Sequence, residues 1–192
     1  MPRILAAIAL LLLAPLASGD PAPAIASSRV KFETALGAFV VELDSARAPL
    51  SSANFLQYVR DGHYDGTIFH RVIGNFVVQG GGYTADGAEK PARPGVPNES
   101  GNGLSNRRGT LALARHNDPH SAAAQFYVNI IDNLGLDPAP NHWGYAVIGR
   151  VVEGMDVIDK IANVATGNKA PFGDDVPLAP VVITRATVVS AP

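Results

Sequence analysis

The chain has 192 residues, of which 47% are hydrophobic and 17% are charged, and this composition favours one globular domain with an adequate core. The formal net charge of -2 gives no reason to expect nucleic acid or an anionic membrane surface as a partner. The sequence contains no cysteine, which excludes disulfides, thiolate catalysis and cysteine-ligated zinc.

The N-terminal residues are typical of a secretory signal peptide. Residues 1–3 are basic, residues 4–13 form an unbroken apolar run, and small residues follow Pro15. The run is shorter than the roughly 20 residues that span a bilayer, so an uncleaved membrane anchor is the less favoured alternative.

This pattern predicts how the whole chain is divided. We expect a signal peptide over residues 1–19, with cleavage between Ala17 and Ala24, and a flexible lead-in over residues 20–28 that is rich in Pro, Ala and Ser. The working domain then covers residues 29–192. The expected location is the periplasm, or the medium after secretion, with no membrane attachment once the signal peptide is removed.

The working domain begins with a predicted β-hairpin. Apolar and polar residues alternate over residues 29–33 and again over residues 39–44, on either side of a turn at Leu36 and Gly37. A helix is predicted to start at Pro49 and to stop before Gly62. Its apolar stripe is predicted to contain Leu50, Ala53, Leu56 and Val59, with Phe55 beside it.

After this helix the pattern is mainly that of strands. Two strands are predicted within residues 67–79, and single strands are predicted at 110–114, 125–131, 145–152 and 181–189, with a second helix over residues 154–164. Residues 83–108 lack an apolar period, which predicts an ordered excursion or a functional surface. The absence of β-α-β alternation favours an antiparallel sheet or barrel.

The most specific motif is the strand-like run FHRVIGNFVVQGG over residues 69–81, which Arg71 and Gln79 interrupt. An arginine is rarely buried without a partner, because it cannot lose its proton. Arg71 is therefore predicted to line a cleft where an apolar wall meets a polar ligand. The two closing glycines allow a sharp turn or a close approach of the backbone.

This run resembles the signature of the cyclophilin-type peptidyl-prolyl cis-trans isomerases. Residues 109–115 (GTLALAR) and 124–129 (AQFYVN) are similar to further segments of the family, and residues 106–110 and 145–155 resemble its bacterial exported branch. The resemblance implies a mostly β fold, an eight-stranded antiparallel closed β-barrel capped by two α-helices. It also implies an enzyme without cofactors that accelerates rotation of X-Pro peptide bonds and assists the folding of exported proteins.

The resemblance also assigns the site. It implies that Arg71, Gln79 and Phe76 are catalytic, with Arg71 donating to the proline nitrogen and holding the substrate carbonyl, while Gln79 binds the peptide backbone and fixes Arg71. The implied substrate-binding residues are Val77, Ala114, Arg115, Phe126, Tyr127, Leu136 and Tyr145. The expected partners are proline-containing unfolded or flexible polypeptides, and the protein is expected to be a monomer.

Two other functions compete with this interpretation. A module that binds proline peptides or unfolded chains with little turnover would use the same groove, but binding alone does not require Arg71, Phe76 and Gln79 together. His116 and His120 have the i, i+4 spacing that suits zinc on a helix, although the Asn-Asp-Pro sequence between them disfavours a helix. We therefore expect no metal site and no metal-dependent hydrolase.

Several positions depart from the family pattern or need their own interpretation. Gly135 stands where relatives often carry a rim aromatic residue, Tyr127 adds a hydroxyl where Phe is usual, and His116 replaces a small residue of the groove. Relatives bind cyclosporin in this groove with the indole N–H of a rim tryptophan, and Trp143 is a candidate to fill that place. His70 is expected to face the other side of its strand as a hydrogen-bonded structural histidine.

Overall fold

The structure is a computed structural model that describes residues 28–190. The signal peptide, its cleavage site and residues 20–27 of the lead-in lie outside the described residues. In residues 28–190 the chain forms the following elements: β1 (Arg29–Thr34), β2 (Gly37–Leu43), α1 (Pro49–Arg60), β3 (Thr67–Val72), β4 (Val77–Thr84), β5 (Thr110–Leu113), β6 (Phe126–Asn129), β7 (Val147–Glu153), α2 (Met155–Ala162), β8 (Thr166–Lys169), β9 (Gly173–Pro177) and β10 (Ile183–Val189). Neither helix of this part of the chain is long and apolar enough to cross a membrane.

Eight of these strands form one antiparallel sheet in the order β10-β1-β2-β7-β5-β6-β4-β3. The two edge strands approach each other, because the Phe69 amide donates to the Val181 carbonyl at 3.0 Å and the Gly66 amide donates to the Ile183 carbonyl at 2.8 Å. The sheet is therefore a nearly closed barrel, and the predicted fold class is confirmed. Near-closure also removes the exposed edges at which a sheet can pair with another chain.

The barrel interior is filled by aromatic residues that alternate along the strands. Phe32 of β1 and Phe39 of β2 are fully buried, and their rings stack with centroids 5.0 Å apart. Phe126 of β6 meets Phe32 at 5.3 Å and Tyr64 at 5.4 Å. Because side chains alternate between the two faces of a strand, the residues next to these aromatics point away from the interior, where a binding site can form.

Helix α1 starts and ends as predicted, but only part of the predicted stripe is buried, namely Leu56 and Val59. Leu50 is 51% exposed and Ala53 is exposed, whereas Phe55 is fully buried. The helix packs against β10 along the face formed by Ser51, Ser52, Phe55, Leu56, Tyr58 and Val59. The choice between two overlapping stripes depends on where the large aromatic side chains fit into the core, and a count of apolar spacings does not contain that information.

The long segment between β4 and β5 is an ordered excursion, as predicted. Its Glu99 side chain accepts from the amides of Leu50 and Ser51 at 3.1 and 2.8 Å, and thereby caps the start of α1. A second feature was not predicted from the sequence: β8 and β9 form a separate two-stranded hairpin between α2 and β10. This hairpin packs against β3, the strand that carries Arg71.

Candidate active site

Neighbouring strands bring the predicted site residues into one row. In the antiparallel register, Arg71 of β3 lies opposite Gln79 of β4, and Gln79 lies opposite Tyr127 of β6. Tyr127 lies opposite Ala112 of β5. Since residues paired across strands share one face of the sheet, these side chains lie together on the face opposite to Phe126.

A cavity of about 200 Å³ opens on this face, and we refer to it as cavity A. It contains every predicted site residue except Phe126, and its lining residues are Arg71, Phe76, Val77, Gln79, Ala114, Arg115, Tyr127, Leu136 and Tyr145. Val77 and Tyr127 belong to a buried apolar cluster that is separate from the barrel core, with Phe76 and Leu136 packed against it. Cavity A is therefore an apolar pocket with charged and amide groups at its edge.

Arg71 lies at this edge and is only loosely held. Its Nη1 donates to Oε1 of Gln79 at 3.4 Å, and its guanidinium carbon lies 5.8 Å from the centre of the Phe76 ring. Gln79 is itself oriented by Gln125, to which its Nε2 donates at 3.3 Å. Among residues 28–190 no carboxylate forms an ion pair with Arg71, so most of its donors are available to a ligand.

The second arginine of cavity A is held firmly. Arg115 donates to the carbonyls of His116, Trp143 and Gly144 at 2.9, 2.7 and 3.4 Å. Its guanidinium carbon also lies 4.5 Å from the centre of the Tyr145 ring, a cation–π contact. Arg115 thus fixes one rim of the cavity, and Arg71 is the guanidinium with donors to spare.

Phe126 is the one predicted site residue that the structure does not bring to cavity A. It is fully buried among the aromatic residues of the barrel interior. The prediction is wrong because Phe126 directly precedes Tyr127 in β6, and neighbouring residues of a strand point to opposite faces. Tyr127 therefore lines cavity A, whereas Phe126 is not accessible from it.

A larger cavity of about 340 Å³, cavity B, adjoins cavity A and shares with it Arg71, Gln79, Ala114 and Arg115. Its far wall contains His70, Tyr83 and Phe172, and Phe172 lies at the tip of the unpredicted β8–β9 hairpin. Together the two cavities form a groove long enough for a peptide that extends beyond a single residue.

His70 is buried, as expected, and its neighbours are mainly aromatic. Its ring packs against Tyr83 and Phe172 at centroid distances of 4.9 and 5.5 Å, and its Nδ1 has no hydrogen-bond partner among the described residues. Burial, together with the charge of the adjacent Arg71, lowers the pKa of His70 to about 4. The ring is therefore neutral at physiological pH and serves as an apolar wall.

His120 and the rim of cavity A have structural explanations. His120 accepts from the Asn98 amide through Nδ1 at 3.1 Å and packs against Trp143 at 5.3 Å. Residues 28–190 contain no group of three or more His, Cys, Asp or Glu side chains that could hold a metal ion. Trp143 is not part of the lining of cavity A, so it does not fill the rim position at Gly135. A Cβ atom built on Gly135 meets no atom within 4 Å, and that side of the rim is open.

The model of the cyclophilin type peptidyl-prolyl cis-trans isomerase/CLD family matches residues 29–188. The chain belongs to this family. The match covers the whole barrel and both helices, so the family predicted from the motifs is confirmed.

Relatives with high identity carry the same activity in their names. This cyclophilin is 52% identical over 164 residues to a peptidyl-prolyl cis-trans isomerase of Streptomyces antibioticus, a match that covers 84% of this chain and 98% of the relative. It is 46% identical over 188 residues to peptidyl-prolyl cis-trans isomerase A of Dickeya dadantii, covering 97% of each chain. Isomerase B of Escherichia coli is 46% identical over 162 residues, covering 83% of this chain and 98% of the relative. The predicted isomerase activity is thereby confirmed.

Solved structures agree with the fold. A cyclophilin of Cryptosporidium parvum, crystallised in the presence of the dipeptide Ala-Pro, superimposes with a TM-score of 0.69 at 23% identity and covers 85% of this chain and 99% of that chain. At this identity the similarity concerns the fold, and it supports the nearly closed barrel with two helices.

Some residues around the site were not predicted from the sequence. Gln125 orients Gln79, Asn106 lies beneath cavity A, and Phe172 closes cavity B. Gln125 stands within one of the family-like segments and was identifiable as part of it. Asn106 begins the family-like run over residues 106–110 and was identifiable in the same way, although that run does not indicate its contacts. Phe172 lies in irregular chain without an apolar period, where the sequence carries no signal of its contacts.

Proposed function

We propose that this cyclophilin isomerises X-Pro bonds with Arg71 as the donor to the proline nitrogen, and that its clients are exported polypeptides that fold outside the cytoplasm. The observation that carries the mechanism is the place of the Arg71 guanidinium, at the edge of an apolar cavity and with most of its donors available. The proline ring enters the apolar part of cavity A, between Phe76, Val77, Tyr127 and Leu136.

The chemistry follows from the electronic structure of the amide. Rotation about an X-Pro bond has a barrier of about 18–20 kcal/mol, because the planar amide is conjugated. In the twisted transition state this conjugation is lost, and the proline nitrogen becomes pyramidal with a basic lone pair. A donor aimed at that nitrogen binds the twisted state better than either planar isomer, which lowers the barrier.

The magnitude is within reach of these groups. Shortening a step of tens of seconds to milliseconds is a gain of about 10⁴-fold, which requires roughly 5–6 kcal/mol. A hydrogen bond to a charged donor contributes about 1.5–3 kcal/mol. Holding the ring in a partly dehydrated pocket, with the backbone bound by Gln79, supplies the remainder through orientation. The step makes and breaks no covalent bond, so it needs neither a nucleophile nor a bound cofactor.

The flanking residues of the substrate occupy the rest of the groove. Ala114 follows β5, and its amide is paired with the Gln125 carbonyl at 2.9 Å at the boundary of cavities A and B. Arg115, held by three carbonyls, gives this rim a fixed shape. Such a groove suits an extended or flexible polypeptide that exposes a proline, which supports unfolded chains as clients.

A protease-coupled assay on short X-Pro peptides tests the mechanism. Wild-type protein, Arg71→Ala and the control Arg47→Ala are compared at equal folded concentration. Arg47 is a matched surface arginine that pairs with Asp44 at 2.8 Å away from cavity A. We expect catalysis by wild type and by Arg47→Ala, and a loss of at least about tenfold in Arg71→Ala. Equal activity of all three would remove Arg71 from the mechanism, and binding of peptides without turnover by the wild type would favour a binding module.

Export is supported by the N-terminal sequence and by the coverage of the relatives. The family match begins at residue 29, directly after the predicted leader and lead-in. The Dickeya dadantii isomerase matches 97% of this chain, so its similarity extends into that N-terminal part, whereas the Escherichia coli isomerase B matches only 83%. The isomerase domain therefore also occurs without this N-terminal part, which is expected if the part is a targeting segment that is removed.

Fractionation of a Gram-negative host that expresses the full chain tests export. We expect a shortened protein in the periplasmic fraction, with a new N-terminus between residues 18 and 25 by mass spectrometry. Leu12→Arg interrupts the apolar run and should leave the full-length chain in the cytoplasm, whereas the control Ala53→Arg, which adds the same charge on the exposed face of α1, should be exported. Uncleaved wild-type protein in the membrane fraction would indicate an anchor, and uncleaved protein in the cytoplasm would contradict export.

A further inference from the structure

A buried polar network lies directly beneath cavity A, and Asn106 is its centre. Asn106 has no solvent exposure, although it belongs to the irregular segment before β5. Its Oδ1 accepts from the Tyr127 hydroxyl at 2.8 Å and from Nδ2 of Asn129 at 3.2 Å. Its Nδ2 donates to Oδ1 of Asp137 at 2.9 Å and to the Tyr145 carbonyl at 3.3 Å. Both side-chain atoms are therefore satisfied twice, which is the full capacity of an amide.

The backbone of Asn106 joins the same network. Its amide donates to Oδ1 of Asp137 at 2.7 Å, and its carbonyl accepts from the Asn133 amide at 2.7 Å. The Asn133 side chain in turn donates to the Phe76 carbonyl at 2.9 Å. Asn106 is thus linked, directly or through one residue, to the segments that carry Phe76, Tyr127 and Tyr145, which stand on different sides of cavity A.

The groups of this network have the protonation states that it requires. Burial alone would raise the pKa of the Asp137 carboxyl, but hydrogen bonds from Ser105 and Asn106 and the charge of Arg107 hold it below its usual value. Burial raises the pKa of the Tyr127 hydroxyl, so this hydroxyl remains a donor. Asp137 is therefore an ionised acceptor toward Asn106, and charge-assisted bonds of this kind are the stronger ones.

We propose that Asn106 is the positioning residue of the proline cavity, which holds the Tyr127 ring, the Phe76 segment and the Leu136–Asp137 rim at the spacing that grips the substrate ring. Leu136 directly precedes Asp137, and the Leu136 carbonyl accepts from the Tyr145 amide at 2.9 Å, so the rim is tied to Asn106 from both sides. This inference rests on the proposed function only in that cavity A receives proline. Asn106 itself touches no substrate, and it acts through the groups that it holds.

The position of the network explains why a buried amide is needed there. The chain between β6 and β7 is irregular apart from a short 3-10 turn at Leu134–Leu136, and it has no sheet ladder to hold it. Side-chain hydrogen bonds of the network hold this segment in place of a sheet ladder. The pocket grips the ring in both planar and twisted states and also orients it toward Arg71, so loosening its walls should raise KM and, to a smaller extent, lower kcat. Arg71 acts differently, since its bond to nitrogen exists only in the twisted state.

The test compares steady-state kinetics and folding of single variants of the mature domain, with Tyr58→Phe as the control. Tyr58 is 2% exposed and accepts from the Arg93 amide at 2.7 Å, so its loss removes a buried hydrogen bond away from the groove. We expect Asn106→Ala to raise KM at least tenfold and Tyr127→Phe to raise KM two- to fivefold. Arg71→Ala should mainly lower kcat, and Tyr58→Phe should change neither constant.

A pH profile separates positioning from a general loss of structure. In Asn106→Asp, a second carboxylate faces Asp137 at the position of the former donor, and two close carboxylates share one proton with a raised pKa. We expect this variant to be at least tenfold less active than wild type at pH 8 and to regain at least fivefold at pH 5.5, while wild-type activity stays level. Circular dichroism at each pH verifies that equal folded amounts are compared.

Each outcome decides the proposal. If Asn106→Ala does not fold, Tyr127→Phe and the pH profile of Asn106→Asp carry the test. The positioning role of Asn106 would be overturned if Tyr127→Phe kept the wild-type KM and the activity of Asn106→Asp did not change with pH. It would also be overturned if Asn106→Ala had the same kinetic constants as Tyr58→Phe. An inactive Asn106→Ala beside a fully active Arg71→Ala would refute the proposed mechanism and leave the positioning role intact, so the two failures are distinguishable.

Discussion

Replacement of Arg71 by alanine is the most direct perturbation of the proposed mechanism. The guanidinium has a single side-chain hydrogen bond among residues 28–190, to Gln79 at 3.4 Å, and its cation–π contact to Phe76 spans 5.8 Å. Its removal therefore costs the fold little. We expect the far-ultraviolet circular dichroism and the melting temperature of Arg71→Ala to stay close to those of wild type.

The loss of activity can be derived from the bond that disappears. A hydrogen bond from a charged donor is worth about 1.5–3 kcal/mol, which corresponds to roughly 10- to 150-fold in kcat/KM. Arg71→Lys should restore little of this. A lysine ammonium is a point charge on a flexible chain and cannot hold the substrate carbonyl and the proline nitrogen in one planar fork.

The assay follows the cis-to-trans conversion of an X-Pro peptide, with chymotryptic cleavage of the trans form as the readout. Arg47→Ala, which removes a surface arginine, serves as the control for the change in net charge. Full activity of Arg71→Ala with an unchanged circular dichroism spectrum would refute the assignment, and so would full activity of Arg71→Lys.

Three further predictions concern pH, acid stability and inhibition. The isomerisation rate should be nearly level from pH 6 to 8 and unaffected by chelators, because arginine stays charged over that range and the mechanism has no acid–base step; a steep titration there would contradict it. The free energy of unfolding should fall by up to about 3 kcal/mol between pH 6.5 and 4, since the unfolded state protonates His70 near 6.5 and the folded state only near 4. Urea denaturation should show a smaller fall in His70→Gln, and an equal fall would point to other groups. Cyclosporin should inhibit at micromolar concentrations or weaker and bind at least about tenfold more tightly to Gly135→Trp, because the open rim at Gly135 lacks both an indole donor and the apolar area of a ring. Nanomolar inhibition of the wild type would contradict this explanation.

Most of cavity A could be predicted because its residues lie in short contiguous motifs. Arg71, Phe76, Val77 and Gln79 all belong to the run over residues 69–81, and the antiparallel register of β3 and β4 folds that run onto itself. A hairpin is a local structure, so its sequence contains the alternation and the turn that define its shape. The eight barrel strands were likewise predicted from strand-like segments, whereas the closed barrel followed from the family resemblance and the order of the strands in the sheet was not predicted.

Both of these incorrect predictions concern which face of a strand or helix is buried. Phe126 was assigned to the groove because it stands in the same motif as Tyr127, although adjacent strand residues must point in opposite directions. The predicted stripe of α1 contained Leu50 and Ala53, which are exposed in the structure. In both cases the sequence pattern gives the spacing of the buried residues, whereas the packing of the core determines which face of the element is buried. That decision depends on which large side chains pack together, as Phe126 does with Phe32 and Tyr64.

The residues that sequence reasoning missed are those whose partners are distant in the chain and polar. Asn106 bonds to Tyr127, Asp137 and Tyr145, which are 21, 31 and 39 positions away. Asn106 stands in the family-like run over residues 106–110, but that resemblance does not show whether solvent or other protein groups form the hydrogen bonds of its amide. Two of the three groups proposed as catalytic, Arg71 and Gln79, therefore lie where the sequence pattern is strongest, on the paired strands β3 and β4. Asn106, which we propose holds the pocket in shape, lies in irregular chain before β5, where hydrogen bonds to distant residues rather than a strand or helix fix its position.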